Sequence, residues 1–323
     1  PRADRHSRRP VSRAGGAVWA LAFAAGLAAA LVAGEAGTTA ATAALCAGTA
    51  AAAFLLGRAD DRGRLGAGIK WTGQTLLLAG AVALWLRIDP AGTTGPAGPA
   101  GLAGAAGLAG AAGPAGPAGP GAAGVAVTLP AVLALAAIAL AAQTALQIFD
   151  NLDTALPSTA AAVCAVLALA PSSAPLRAPA LAGCGASLGI LLWNLPPARI
   201  YLGNAGSTAV ATTVSFLLAG TALAALEPGV ASIGTGPGGR PALRSGDVAL
   251  LAVALPLFWP LLDLAVVSVR RLRRGVPPWT GGRDHTTHAL ARTLRSDRAA
   301  AAVLLAHAAA MCWLAMQLRS GVR

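Results

Sequence analysis

Six aspartates stand where an apolar chain can least accommodate them. The chain has 12 acids in 323 residues. Asp60, Asp61, Asp150, Asp153, Asp263 and Asp284 fall at or near the ends of long apolar runs, as do Lys70, His285 and His288. An ionisable group near a bilayer is costly and is a functional candidate by default. The adjacent carboxylates Asp60 and Asp61 repel each other unless a cation lies near. One could bind Mg²⁺ while the other accepts a proton from an attacking group. The alternative is a solvated loop in which arginines pair with them. Asp150 and Asp153 are three apart, so in a helix they would share a face, again suited to a cation or a nucleotide.

A second candidate is the polar interruption from Asn194 to Ser207. Pro196 and Pro197 end the preceding helix, Gly203 and Gly206 let backbone approach a bound group, and Arg199 supplies a fixed charge suited to phosphate. Near the end of the chain, His285 and His288 follow Asp284 at a spacing of three. Zinc would want a third ligand and a water-activating Glu. The only glutamates are Glu35 and Glu227, far along the chain. Phosphate or nucleotide contact is the better functional reading of this pair, beside that of an ordinary polar loop. The Arg270, Arg271, Arg273 and Arg274 cluster reads as a topology signal with lipid-headgroup contact.

The elements that must carry these groups are membrane helices. The composition is 56% hydrophobic and 11% charged, with mean hydropathy +0.66, against about 25% charged for a soluble domain. We expect nine spans, near residues 16–34, 38–56, 70–87, 127–149, 156–171, 179–194, 208–226, 247–269 and 299–317, in an all-α, polytopic integral membrane protein. The formal charge of +12 does not indicate nucleic acid, because the arginines cluster between apolar runs and aromatics make up only 4%. Placing residues 1–14 in the cytoplasm puts 18 of the 24 Lys and Arg on inside loops. It also puts every candidate segment on the cytoplasmic face and the C-terminus outside.

Residues 1–323 read as one transmembrane domain, interrupted at 88–126 by an extracytoplasmic Gly/Pro/Ala-rich linker. Its tract at 95–121 has a Gly-X-Y period. Cys46, Cys164, Cys184 and Cys312 lie in apolar runs without metal-like spacing and read as small core residues. The chain starts at Pro1, and we expect an initiator and a preceding span to be missing. Small residues suit close helix contact in lipid, either within one chain or in a homodimer.

Five segments, in order, resemble the polyprenyl-phosphate N-acetylhexosamine-1-phosphate transferase family. This family includes the UDP-GlcNAc:undecaprenyl-phosphate GlcNAc-1-phosphate transferases and the phospho-MurNAc-pentapeptide transferases. His6, Pro10, Arg13, Gly15 and Gly16 resemble its H-x-x-P-x-P-R-x-G-G segment. Asp60, Asp61, Lys70 and Gln74 resemble its D-D-R…K…Q segment. Gln147, Asp150, Asn151 and Asp153 resemble N-x-x-D-N-x-D-G-L. Asn194 to Ser207 resembles N-x-P-P-A-R-x-x-x-G-D-A-G-S, and Asp284, His285 and His288 resemble D-H-x-x-H-R-L.

The resemblance implies attack of a polyprenyl phosphate on the β-phosphate of a UDP-sugar at the cytoplasmic face of the plasma membrane. Mg²⁺ (or Mn²⁺) would assist, and UMP would leave. It implies catalytic roles for Asp60, Asp61, Asp150 and Asp153. Substrate contacts would come from Lys70, Asn194, Arg199, His285, His288 and Arg13, and metal contacts from Asn204, Asp150 and Asp153. The chain departs from the pattern in several places. Asn204 stands where the family has a metal-binding Asp, Thr154 where it has Gly, and Ala289 where it has Arg. These departures motivate a second reading, a binding homologue without turnover. A third, a small-molecule transporter, is disfavoured because the charges gather at one membrane face rather than at mid-depth.

Overall fold

The structure is a computed structural model that describes residues 11–35, 37–63, 65–88, 129–225, 234–235, 241–242 and 245–320. His6, Pro10, Arg64, Glu227 and the Gly-X-Y tract lie outside the described residues. The helices are α1 (Gly15–Val32), α2 (Ala40–Asp61), α3 (Ala67–Ile88), α4 (Leu129–Phe149), α5 (Ala155–Ala168), α6 (Arg177–Asn194), α7 (Gly203–Ala225), α8 (Ser245–Arg273), α9 (Thr286–Leu294) and α10 (Asp297–Ser320). A 3₁₀ segment, Pro171–Leu176, links α5 to α6, and the two-residue strands Gly234–Thr235 and Pro241–Ala242 pair antiparallel.

Among the described residues, seven helices are long and apolar enough to cross a membrane. The other two expected spans are shorter apolar helices, Leu133–Phe149 and Ala155–Ala168. The second, α5, rises only about 21 Å at 1.5 Å per residue, short of a ~30 Å hydrocarbon layer. Nearly all of its residues are buried, so protein rather than lipid surrounds it. The protein is an all-α polytopic membrane protein, with large apolar side chains such as Leu21, Leu76, Leu192 and Trp313 exposed on its outer helices.

The core forms around α7, which packs against α1, α2, α3, α4 and α5. Val210, Phe216 and Leu217 on α7 are almost fully buried together with Trp19, Phe23, Trp85 and Leu146. With little hydrophobic drive between helices in lipid, contact depends on small residues and polar links. Gly206 of α7 faces Gly16 of α1 so closely that a Cβ on Gly206 would sit 2.6 Å from the Gly16 Cα. Gly57 of α2 likewise lies against the backbone of Asn204. Gly206 therefore serves helix packing rather than approach to a ligand.

Polar links join the same helices. Gln74 donates to Gln147 (3.1 Å), Gln147 to Thr208 (2.6 Å), Gln143 to Thr212 (3.0 Å), and Trp19 Nε1 to Ser187 (3.0 Å). A smaller cluster of Phe149, Leu152, Ala155, Ala291, Ala300 and Leu304 seats α9 against α10 and the α4–α5 turn.

Candidate active site

The chemistry-bearing residues come from helix ends. Asp60 and Asp61 close α2, Lys70 lies in the first turn of α3, and Asp150 follows α4. Asn204 lies in the first turn of α7, and His285 and His288 sit at the start of α9. Together these ends border a cleft of about 1160 Å³ at one end of the bundle, lined by Asp60, Lys70, Asp150, Asn204, His285 and His288. Asp61, Asp153, Asn194, Arg199 and Arg13 are not among its lining residues.

Asp60 is held in the cleft by two side chains. Lys70 Nζ donates to its Oδ2 at 2.7 Å, and Asn204 Nδ2 donates to the same oxygen at 2.9 Å. Asp61 points elsewhere. Its two oxygens accept the backbone N–H groups of Asn204 (3.2 Å) and Ala205 (3.0 Å). These are the free donors at the start of α7, and a carboxylate also suits the positive end of the helix dipole. Gly203, at φ +68°, makes the turn that presents them. The neighbouring acids thus divide, one toward the cleft and one into holding α2 to α7.

Asp150 and Asp153 divide in the same way, for a different reason. The helix ends at Phe149, so the two are not on one helical face as their spacing allowed. Asp150 lines the cleft, whereas Asp153 Oδ2 accepts the Ala198 N–H at 3.1 Å. Asn194 is 2% exposed, and its amide is engaged within the fold. It accepts from Thr154 N (2.7 Å) and donates to Ile200 O (2.9 Å). The Asn194–Leu202 part of the segment is consequently held by bonds within the fold, while Asn204 beyond it reaches the cleft. The same part pairs with the N-terminal segment through Tyr201 N to Ser12 O (2.9 Å) and Gly15 N to Tyr201 O (3.1 Å). Arg13 and Arg199 are exposed near it.

Thr154 lies in the turn just before α5. Its φ is 74°, and its buried hydroxyl oxygen has no hydrogen-bond partner. A β-branched residue in the left-handed region is strained. Gly, the residue of the family pattern here, would adopt it freely.

On the opposite wall, Arg271 is 8% exposed rather than facing lipid headgroups. It grips Asp284 with two bonds (Nε–Oδ2 3.0 Å, Nη2–Oδ1 2.6 Å) and donates to Pro278 O (2.6 Å). This staple folds residues 274–284 beside the cleft, which Arg271, Trp279 and Arg283 also line. The Arg271 hydrogen bonds hold the Asp284 carboxyl below its ordinary range. Arg271 and Arg283 are cleft residues that sequence reasoning passed over, Arg271 because an arginine cluster after a span reads first as a topology signal.

The sequence profile of glycosyl transferase family 4 matches residues 42–222, more than half of the chain. The chain belongs to glycosyl transferase family 4. This is the family of polyprenyl-phosphate sugar-1-phosphate transferases, enzymes that move a sugar phosphate from a nucleotide-sugar donor to a lipid carrier in a membrane. The matched part contains Asp60, Asp61, Lys70, Asp150, Asp153, Asn194, Arg199 and Asn204. Arg13, His285 and His288 lie beyond it. No curated protein matches the chain.

A divalent ion is the family-level expectation, with Asn204, Asp150 and Asp153 as its ligands. Two of the three are turned to other partners in the described structure. Asn204 turns its N–H toward Asp60, and Lys70 already neutralises Asp60. Asp153 is drawn to the Ala198 N–H. Among the described residues, no three His, Cys, Asp or Glu side chains are grouped to hold a metal.

Proposed function

We propose that the chain transfers a sugar-1-phosphate, with HexNAc-1-phosphate the leading donor group, from a UDP-sugar to a polyprenyl phosphate, releasing UMP. The supporting observation is the single cleft in which Lys70, Arg283, His285 and His288 meet Asp60 and Asp150 at one end of a membrane bundle. Phosphoryl transfer needs positioning and neutralisation of charge more than covalent help from the protein. Lys70, His285 and His288 are placed to contact phosphate oxygens, and Arg283 adds a fixed charge. Asp60 is the carboxylate placed to orient an incoming phosphate or accept its proton. Because Asn204 and Asp153, two of the three expected ligands of Mg²⁺ or Mn²⁺, are engaged with other partners, no step is assigned to a metal.

The excess of Lys and Arg on one set of loops supports a plasma-membrane protein with the cleft on the cytoplasmic side and the C-terminus outside. Purified protein in detergent, given UDP-GlcNAc and undecaprenyl phosphate, should release UMP. Silence with this and other UDP-sugars, with and without Mg²⁺, refutes the reading.

One observation favours a second reading, a homologue that binds polyprenyl phosphate without turnover. Asn204 and Lys70 between them satisfy Asp60 internally. Appearance of UMP release only in Asn204→Asp would select this reading.

A further inference from the structure

Asp263 has no role in the cleft as described so far, yet it is the most deeply buried acid in the described structure, at 0% exposure on α8. A carboxylate wholly removed from water persists only when its oxygens are matched by donors. Its hydrogen-bond partners lie at the start of α9. Oδ1 accepts the Thr286 N–H (2.6 Å) and the Thr286 hydroxyl (2.7 Å), and Oδ2 lies 2.8 Å from His285 Nδ1. Trp259 Nε1 donates to the Thr286 hydroxyl oxygen (3.1 Å), completing the support from α8.

We propose that Asp263 is the positioning residue for His285 in phosphate binding. Its carboxylate takes the Nδ1–H, which fixes the ring's tautomer and rotation. Because His285 also lines the cleft, the ring nitrogen left to meet a ligand is Nε2. When the ring carries both protons, Nδ1–H stays on the Asp263 carboxylate and Nε2–H meets a phosphate oxygen as a charge-assisted donor. This rests on the transferase reading for the identity of the ligand, but the ring geometry does not. The other charged or titratable groups around His285 are Arg271 on α8, Arg283 and Asp284 just before α9, and His288 on α9, whose ring centroid is 6.1 Å away. Lys70, Asp60 and Asp150 lie elsewhere on the cleft wall.

The first measurement needs no variant at Asp263. Ring ¹⁵N–¹H correlation spectra of the histidine-labelled full chain in detergent, with His285→Gln assigning the resonance, should show His285 protonated at Nδ1. Added inorganic diphosphate should perturb its Nε2 resonance. Asp263→Asn gives the sharper contrast. The amide must keep its oxygen for the two Thr286 donors, so its NH₂ faces Nδ1 and forces the proton onto Nε2. The amide donor excludes a proton on Nδ1, so the ring can no longer carry both protons and its Nε2–H bond to phosphate loses the ring's charge; diphosphate affinity should then fall about tenfold. Asp263→Asn should change nothing further in a His285→Gln background.

Any of three results overturns the proposal: a bare Nδ1 in the native protein, an unchanged tautomer in Asp263→Asn, or full independence of the two variants in diphosphate binding. Should the native chain release no UMP from any donor, the transferase reading fails while the ring spectra still decide this one.

Discussion

Replacing Asn204 by Asp tests the electrostatic account of the cleft directly. The Asn204 amide donates to Asp60 Oδ2 at 2.9 Å, and Lys70 holds that oxygen at 2.7 Å. In the variant two carboxylates face each other at about 3 Å. At an effective dielectric of about 20 their repulsion is about 6 kcal/mol, with about 1 kcal/mol more from the lost hydrogen bond. Lys70, already paired with Asp60, also attracts the new carboxylate and offsets about half of this, leaving a net cost of about 3 kcal/mol. That corresponds to a loss of about 5 °C in melting temperature for a chain of this size.

A divalent ion would change the sign, since it draws together the carboxylates that repel. The assay is thermal melting of native protein and variant in EDTA and in Mg²⁺, with Mn²⁺ binding followed by electron paramagnetic resonance. We expect the variant to melt below the native protein in EDTA, to recover with Mg²⁺, and to bind Mn²⁺. Native protein should respond to neither ion. Equal melting in EDTA, with no ion effect on the variant, would refute the claim that Asn204 and Lys70 jointly hold Asp60.

Other substitutions test the scaffold. Thr154→Gly should stabilise the protein by about 1 kcal/mol, because it removes a β-branched residue from φ 74° and a buried unpaired hydroxyl; denaturant melts in detergent will show it. Gly206→Ala should destabilise by about 1–3 kcal/mol through overpacking against Gly16 and Leu202, seen as lowered melting temperature or loss of folded yield. Asp61→Asn should cost about 1–2 kcal/mol by weakening two bonds at the start of α7, measured in the same melts.

Asp284 carries a pH dependence. Its folded carboxyl lies below the unfolded value of about 3.9, so its stabilisation is complete above that value and fades as pH falls through the lower folded value. Limited proteolysis should therefore open residues 274–283 in native protein only as pH falls below the ordinary carboxylate range, and already at neutral pH in Arg271→Ala.

Much of the fold was legible because lipid imposes a simple requirement. A run of about 20 apolar residues has few alternatives to a helix, and seven of the nine expected runs are helices long and apolar enough to span. Ala155–Ala168 shows the limit of that reasoning. Hydropathy reads its apolar residues as facing lipid, but they face other helices, and a buried helix need not match the bilayer in length. Gly203–Ser207 shows another. Read as a ligand-cradling loop, it is the first turn of α7, because Asp61 from a distant helix satisfies the donors there.

For the site, sequence supplied residue types but not their directions. Asp60 and Asp61 are adjacent and chemically equivalent, and what separates them is the position of α7 relative to the end of α2. Asp150 and Asp153 separate because the helix stops at Phe149, before the spacing of three could align them. Arg271 belongs to a run of basic residues whose other members are exposed, and only the placement of Asp284 and Pro278 turns this one inward. In each case one tertiary partner decides between chemistry and scaffold. The same logic makes Asn204 the informative departure. An amide at the start of α7 can donate to Asp60 where a carboxylate could only repel it, so a single substitution changes both the charge of the cleft and the group that satisfies its central acid.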